Sequence, residues 1–161
     1  MELTIRKYEL EDIDYIAEMQ KLMNEYHIQY DNEYYKPAVN ASHEFAAYLR
    51  KKIDDESFHI LIAEYGGNAA GYVMGWLEKR PPIYENQNTA YLSNIFVKEE
   101  FRNSGIGKKL YQEMEKWYVR NKVDFIEIKA DARNTETLNK FRNSGFKDQS
   151  ITFYKKVVSK K

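Results

Sequence analysis

Apolar residues along this chain recur at two periods, and the switches between them outline its elements. Leu3 to Arg6 reads as a short strand. Asp12 stands where it can cap a helix carrying Ile13, Ile16, Met19 and Met23 on one face. Residues 26–42 are rich in Tyr, Asn and acids and are expected to be irregular. A second helix is expected from near Ser42, with Phe45, Tyr48, Leu49 and Ile53 inward. Phe58 to Tyr65 and Ala70 to Leu77 flank Gly66-Gly67-Asn68, a hairpin signal because glycine supplies the positive φ of the turn. Lys79 to Thr89 is a loop broken by Pro81-Pro82.

The second half is more sharply patterned. Leu92 to Val97 is an apolar run short enough for one buried strand, and a charged turn follows from Lys98 to Arg102. Leu110, Met114, Trp117 and Tyr118 then mark one face of a helix. Phe125 to Ala130 reads as another buried strand, and Asn134 to Asn143 as a short helix. Asn134 can cap that helix, Glu136 suits its first turn, and Gly145 suits a left-handed C-terminal cap. Ile151 to Val158 reads as an antiparallel closing strand, with one more short strand near Phe146. The order β, α, α, β, β, β, α, β, α, β predicts an α/β (α+β) fold. It is a mixed central sheet with helices on both faces, in a single domain over residues 1–161.

Composition narrows the function. The 161 residues suffice for one core, and 25 basic against 25 acidic side chains leave no net charge. Without a large positive field, nucleic acid is not an expected partner. The chain has no cysteine, so neither a disulfide framework nor a cysteine acyl-enzyme is open to it. Its opening, Met1-Glu-Leu-Thr-Ile-Arg, lacks a signal-peptide core, and no apolar run approaches the about 18 residues of a membrane span. A cytoplasmic location without membrane contact is expected. His27, His43 and His59 show no ligand spacing, so no metal is predicted. No Gly-x-Ser-x-Gly elbow is present, against a serine hydrolase. The pentapeptide Phe-Arg-Asn-Ser-Gly occurs at 101–105 and 141–145, but it opens a helix in one place and ends one in the other, so no internal repeat follows.

The chemistry concentrates in Arg102-Asn103-Ser104-Gly105-Ile106-Gly107-Lys108. A strand feeding a glycine-rich turn feeding a helix presents unpaired N–H groups with their dipoles pointing outward, which suits a phosphate or pyrophosphate. A Walker A loop is excluded because Lys109, not Ser or Thr, follows Gly107-Lys108. A dinucleotide fingerprint needs three glycines, and this turn has two. The pattern Arg-x-x-Gly-x-Gly resembles the coenzyme A pyrophosphate loop of the GNAT family of N-acetyltransferases. Strand, Asn134, short helix and Gly145-Phe146 are similar to that family's second block, and Ile5-Arg6 with Glu11-Asp12-Ile13 looks like its usual opening.

The resemblance implies a gap between two parallel strands, here 91–97 and 123–130, that admits acetyl-CoA as co-substrate. It implies that the main chain of Ile95, Phe96 and Val97 holds pantetheine, that the turn from Arg102 to Lys108 holds the pyrophosphate, and that Asn134 approaches from the other side. Lys108 and Lys109 oppose the helix dipole and become sensible beside a phosphate. Transfer to an amine needs the amine neutral, so a group must take its proton, and the Val97 N–H can polarise the thioester oxygen. Glu127 and Asn94 are candidates to hold a proton-accepting water. Many members carry a proton-donating tyrosine where this chain has Phe141, another residue of the expected cofactor site; Tyr111 or Tyr154 must then substitute, or the thiolate leaves unaided. Tyrosines among Glu25, Asp31 and Glu33 point to a cationic small-molecule or peptide amine, with Tyr30, Asp31 and Glu33 as candidate contacts. The expectation is an acetyl-CoA-dependent N-acetyltransferase; the alternative is a non-catalytic acyl-CoA-binding sensor or scaffold. A tyrosine-rich apolar surface would also support a homodimer.

Overall fold

The computed structural model describes residues 2–157, which fall in two compact units, 2–129 and 130–157. The first unit is built on a five-stranded sheet in the order β1-β2-β3-β4-β5. The strands are β1 (Leu3–Lys7), β2 (Phe58–Tyr65), β3 (Asn68–Lys79), β4 (Asn88–Val97) and β5 (Phe125–Ile128). All neighbours are antiparallel except β4 and β5. Three helices accompany it: α1 (Ile13–Ile28), α2 (Ala41–Lys52) and α3 (Ile106–Arg120).

Both faces of the sheet are covered, and strand alternation sorts the side chains between two cores. Ile60, Ile62, Tyr72, Met74 and Phe96 pack under α1 and α2 with Ile13, Ile16, Met19 and Leu49. Leu61, Ala63, Val73 and Leu92 face α3, whose Ile106, Leu110, Met114 and Tyr118 lie on them. Being buried on both sides explains why β2 and β3 read as nearly continuous apolar runs. Each such side chain contributes roughly 1.5–3 kcal/mol by leaving water. The hairpin turn is as expected, with Gly66 at φ 59° and Gly67 at φ 81°.

Several boundaries differ from the sequence expectation. Helix α1 continues through Ile28 into the stretch read as irregular, because its C-terminal polar turns still close helical hydrogen bonds. Asp12 does not cap α1 through its side chain. Its carboxylate accepts the Glu9 N–H at 2.8 Å and pairs with Arg6 at 2.6 and 2.9 Å, and Arg6 also reaches Glu64. Burial works to raise the Asp12 carboxyl, but the Arg6 and Glu9 hydrogen bonds outweigh it and hold the pKa below its ordinary value. Tyr48 is partly exposed at 40 %, laid between Phe45 and Phe58 at the rim.

Strand β5 is shorter than expected and not fully buried: Phe125 is 51 % exposed. It ends the strand order, with β4 as its neighbour in the sheet, which leaves side chains at its outer edge in water. In the second unit, α4 (Thr135–Asn143) forms as read, with Asn134 accepting the Thr137 N–H at 3.1 Å and Gly145 at φ 93°. The expected closing strand is absent: residues 151–157 carry no strand, Val158 lies outside the described residues, and no strand forms near Phe146. Ile151 and Phe153 are exposed, so the apolar alternation there finds no layer to pack on.

His59 of β2 lies flat on Trp117 of α3, ring centroids 4.6 Å apart. Burial, then the charges of Lys7 and Arg120, push its pKa from 6.5 down to about 4. The unfolded chain therefore binds a proton there that the folded chain refuses. Its contribution is full above 6.5 and is lost as pH falls toward 4. The free energy of unfolding should drop across that window with a limiting slope of about 1.4 kcal/mol per pH unit, and His59→Gln should flatten it. Parallel profiles for the two proteins would refute the assignment.

Candidate functional site

The site is set by how β4 parts from its neighbours. On one side β4 pairs with β3 along its whole length, but the register slips: Met74 faces Asn94 while Gly75 faces Leu92. Ser93 is thus an extra residue, a bulge that bends the strand. On the other side the parallel ladder runs from Thr89↔Phe125 to Leu92↔Ile128 and goes no further. The bend and the end of the ladder coincide.

Beyond that point no described strand pairs with β4 on the β5 side. The Lys98 N–H donates to the Ala70 carbonyl at 2.9 Å, so antiparallel alternation turns the backbone groups of Phe96 toward β3 and those of Ile95 and Val97 away from it. The outward Val97 carbonyl accepts Arg102 Nε at 3.1 Å. Arg102 also sits 6.0 Å over the Phe96 ring. Phe96 sends its side chain into the core beneath α1.

The turn after β4 is shaped by two left-handed residues, Asn103 at φ 61° and Gly105 at φ 81°. The Ser104 hydroxyl donates to the Phe101 carbonyl at 2.5 Å and closes the turn. Helix α3 starts at Ile106, which is buried and anchors the helix start, and its first recurring bond runs from the Lys109 N–H to the Gly105 carbonyl. The N–H groups of Ile106, Gly107 and Lys108 precede that bond and have no acceptor within the helix. They form a row with Lys108 and Lys109 exposed beside it. A side chain at 107 would meet Val97 at an ordinary 3.6 Å, so packing does not demand glycine there. A cavity of about 440 Å³ adjoins the turn, lined by Glu18, Leu22, Tyr26, Phe96, Lys98 and Arg102 among others.

The remaining candidates have distinct surroundings. Asn94 is buried and its amide donates to Tyr72 Oη at 2.9 Å and to Gln20, while its oxygen accepts from Ser93 at 2.5 Å. Tyr72 in turn donates to Gln20 at 2.5 Å, and the Gln20 amide donates onward to Asn24 at 3.0 Å. Glu127 is exposed and opposite Tyr91 in the parallel register. Burial, with Glu78 and Glu127 adding to it, raises the Tyr91 pKa. Tyr111 donates to Glu115 at 3.0 Å, and burial followed by that bond raises its pKa as well. Asp31 accepts the N–H groups of Glu33 and Tyr34 at 3.0 and 2.8 Å, closing the turn after α1, and Tyr30 donates to Tyr26 at 3.4 Å. In the second unit, Asn134 caps α4, Phe141 meets Phe146 edge-on at 5.7 Å, and Tyr154 is half exposed.

Structure thus brings Ile95, Val97 and the Arg102–Lys108 turn together and gives Asn94 a packing role. Sequence reading missed Gly75, whose bare α-carbon faces the bulge; a glycine inside a strand pattern was the available signal. It also treated Tyr118 only as a core residue, although its hydroxyl donates to the Tyr91 carbonyl at 3.2 Å.

Comparison with known proteins places this architecture. Residues 16–146 match the model of the Acetyltransferase (GNAT) family. No curated protein sequence matches significantly. Among solved structures, a mutant of the BH1408 protein from Bacillus halodurans superposes with TM-score 0.84 at 19% identity, over 96% of this chain and 99% of that one. AAC(6')-Iy, in complex with the bisubstrate analog CoA-S-monomethyl-acetylneamine, gives 0.76 at 16% identity over 98% and 100%. The aminoglycoside acetyltransferase meta-AAC0020 from an uncultured soil metagenomic sample, in complex with sisomicin, gives 0.71 at 18% over 97% of each. At such identities these likenesses establish the fold.

Asn94→Leu should remove the amide that donates to Tyr72 Oη and Gln20 and the oxygen that accepts from Ser93, while Tyr72 keeps its bond to Gln20. Unfolding in urea should show a loss of about 1–3 kcal/mol, from the hydrogen bonds removed with the amide. Wild-type stability would mean the cluster contributes nothing.

Proposed function

The chain belongs to the GNAT acetyltransferase family, and from that premise we propose that it moves an acetyl group from acetyl-CoA directly to a cationic primary amine within a ternary complex. Membership makes it an acyltransferase with acetyl-CoA as co-substrate. Among the described residues no group of His, Asp or Glu could hold a metal ion. The observation that carries the cofactor half of the reading is the row of unpaired N–H groups at Ile106, Gly107 and Lys108, flanked by Arg102. Gly105 supports it: its left-handed backbone has open space before it, and the absent side chain leaves that approach clear.

In this reading Arg102, Asn103, Ser104, Gly105, Ile106, Gly107 and Lys108 hold the pyrophosphate. The outward main-chain groups of Ile95 and Val97 bond the amides of pantetheine as an added strand would, with Phe96 between them. Asn134 and Phe141 are assigned to the cofactor through the family resemblance, and residues 1–161 to one acetyltransferase domain. The amine loses its proton to water held by Glu127, attacks the thioester carbonyl, and the thiolate leaves as the tetrahedral intermediate collapses. The Val97 N–H stabilises the developing oxyanion. Tyr154 is the candidate donor to the thiolate; Tyr111, already bonded to Glu115, is less available. Asn94 serves by packing rather than proton transfer. Tyr30, Asp31 and Glu33 favour a cationic acceptor, in keeping with the aminoglycoside ligand of the related fold.

A second reading, acyl-CoA binding without transfer, is favoured by Phe141, which cannot donate a proton. Release of free coenzyme A with a panel of amines separates the two: a rate above the no-enzyme control supports transfer, and binding without release supports the sensor. Arg102→Glu should weaken acetyl-CoA binding by at least about tenfold in calorimetry, through lost charge pairing and new repulsion. Unchanged affinity would remove the pyrophosphate assignment. Asp31→Asn combined with Glu33→Gln should slow cationic acceptors; identical rates across the panel would remove the acceptor assignment.

A further inference from the structure

We propose that Tyr118 is a positioning residue for the cofactor strand, its hydroxyl acting as a pin that holds the bend in β4. The functional half of this inference rests on the acetyl-CoA reading above. The bend lies at Ser93, opposite Gly75, where the register of β3 and β4 slips. Tyr118 projects from the far end of α3 into that place. A side-chain carbon added at Gly75 would overlap the Tyr118 hydroxyl and stand 2.7 Å from the Tyr91 carbonyl. The hydroxyl occupies that room and donates to Tyr91 at 3.2 Å. Tyr118 is only 1 % exposed, so this bond forms away from water.

A bulge disturbs ladder pairing locally. Here the helix adds a donor to the Tyr91 carbonyl, immediately before the residue at which the parallel ladder with β5 stops. Without the bulge, a regular β4 would keep its register with β3 and its direction beside β5. The Ser93–Val97 segment would then present different backbone groups to the gap, because one residue of slip reverses every position. Helix α3 carries the N–H row at its start and the pin near its end. One rigid element thereby sets both the phosphate contacts and the register of the strand meant for pantetheine. Burial, and then Tyr111, raise the Tyr118 pKa, so the hydroxyl remains a donor throughout the physiological range.

The test compares Tyr118→Phe, which keeps the ring and removes the hydroxyl, with Met114→Ala, which removes a buried side chain from the same helix away from the glycine. Hydrogen exchange of the Asn94 and Phe96 amides and calorimetric acetyl-CoA affinity are measured for each, with melting temperature alongside. Tyr118→Phe should melt close to wild type, exchange those amides about tenfold faster and bind acetyl-CoA about tenfold more weakly. Met114→Ala should melt lower with affinity unchanged. Gly75→Ala, which displaces the hydroxyl and crowds the Tyr91 carbonyl, should melt lower and show the same faster exchange and weaker affinity. Exchange and affinity of Tyr118→Phe within about twofold of wild type would overturn the pin. If wild type failed to bind acetyl-CoA, the family-based function would fall, and the exchange comparison alone would still decide the role of Tyr118.

Discussion

The Tyr118 hydroxyl fills the place of the side chain that Gly75 lacks, and on the proposed pin the course of β4 depends on it. It lets a helix reach the main chain of a buried strand, which side chains ordinarily prevent. The strand bulges there, and its parallel neighbour pairs with it no further. Main-chain groups that a regular sheet would use internally are left facing outward at Ile95 and Val97. A protein core tolerates such groups only if something else satisfies them. The Val97 carbonyl is satisfied by Arg102 Nε, and the proposed pantetheine arm is the partner for the rest.

The two cores divide the work. The core beneath α1 and α2 is closed by the Gln20, Tyr72, Asn94 and Ser93 cluster, where each polar group finds a partner. Satisfied in this way, the cluster ties α1 to β3 and β4 and holds the strand on the side opposite the gap. The core beneath α3 is mostly apolar, with Ile106 and Tyr118 at either end of the helix. Stability and site geometry meet at the two ends of this helix: Ile106 anchors the start that carries the N–H row, and Tyr118 reaches β4.

Much of the fold was legible because periodicity reports burial directly. Leu110, Met114, Trp117 and Tyr118 marked a helix face that is buried in full. The Gly66-Gly67 turn and the Asn134 and Gly145 caps carried their own backbone chemistry. Where the reading failed, the local pattern was real but its partner was missing. Ile151 to Val157 has the alternation of a strand, yet alternation describes a surface that needs a layer to cover it. Likewise β5 reads as apolar but ends the strand order, and the terminal place of a strand is not a local property.

The site divides along the same line. Arg102, Gly105 and Gly107 pointed to an anion loop through their placement between a strand and an amphipathic helix, since a short glycine pattern alone says little. Sequence also settled the lack of cysteine and the even charge, which remove whole classes of chemistry. Only the tertiary structure could decide which backbone groups face outward, since that depends on a one-residue slip between β3 and β4. Only it could show that Asn94 is consumed in a packed cluster and that Tyr118, distant in sequence from Gly75, occupies the space its missing side chain leaves. Contacts across such separations are set by the packing of whole elements, and no window of sequence contains them.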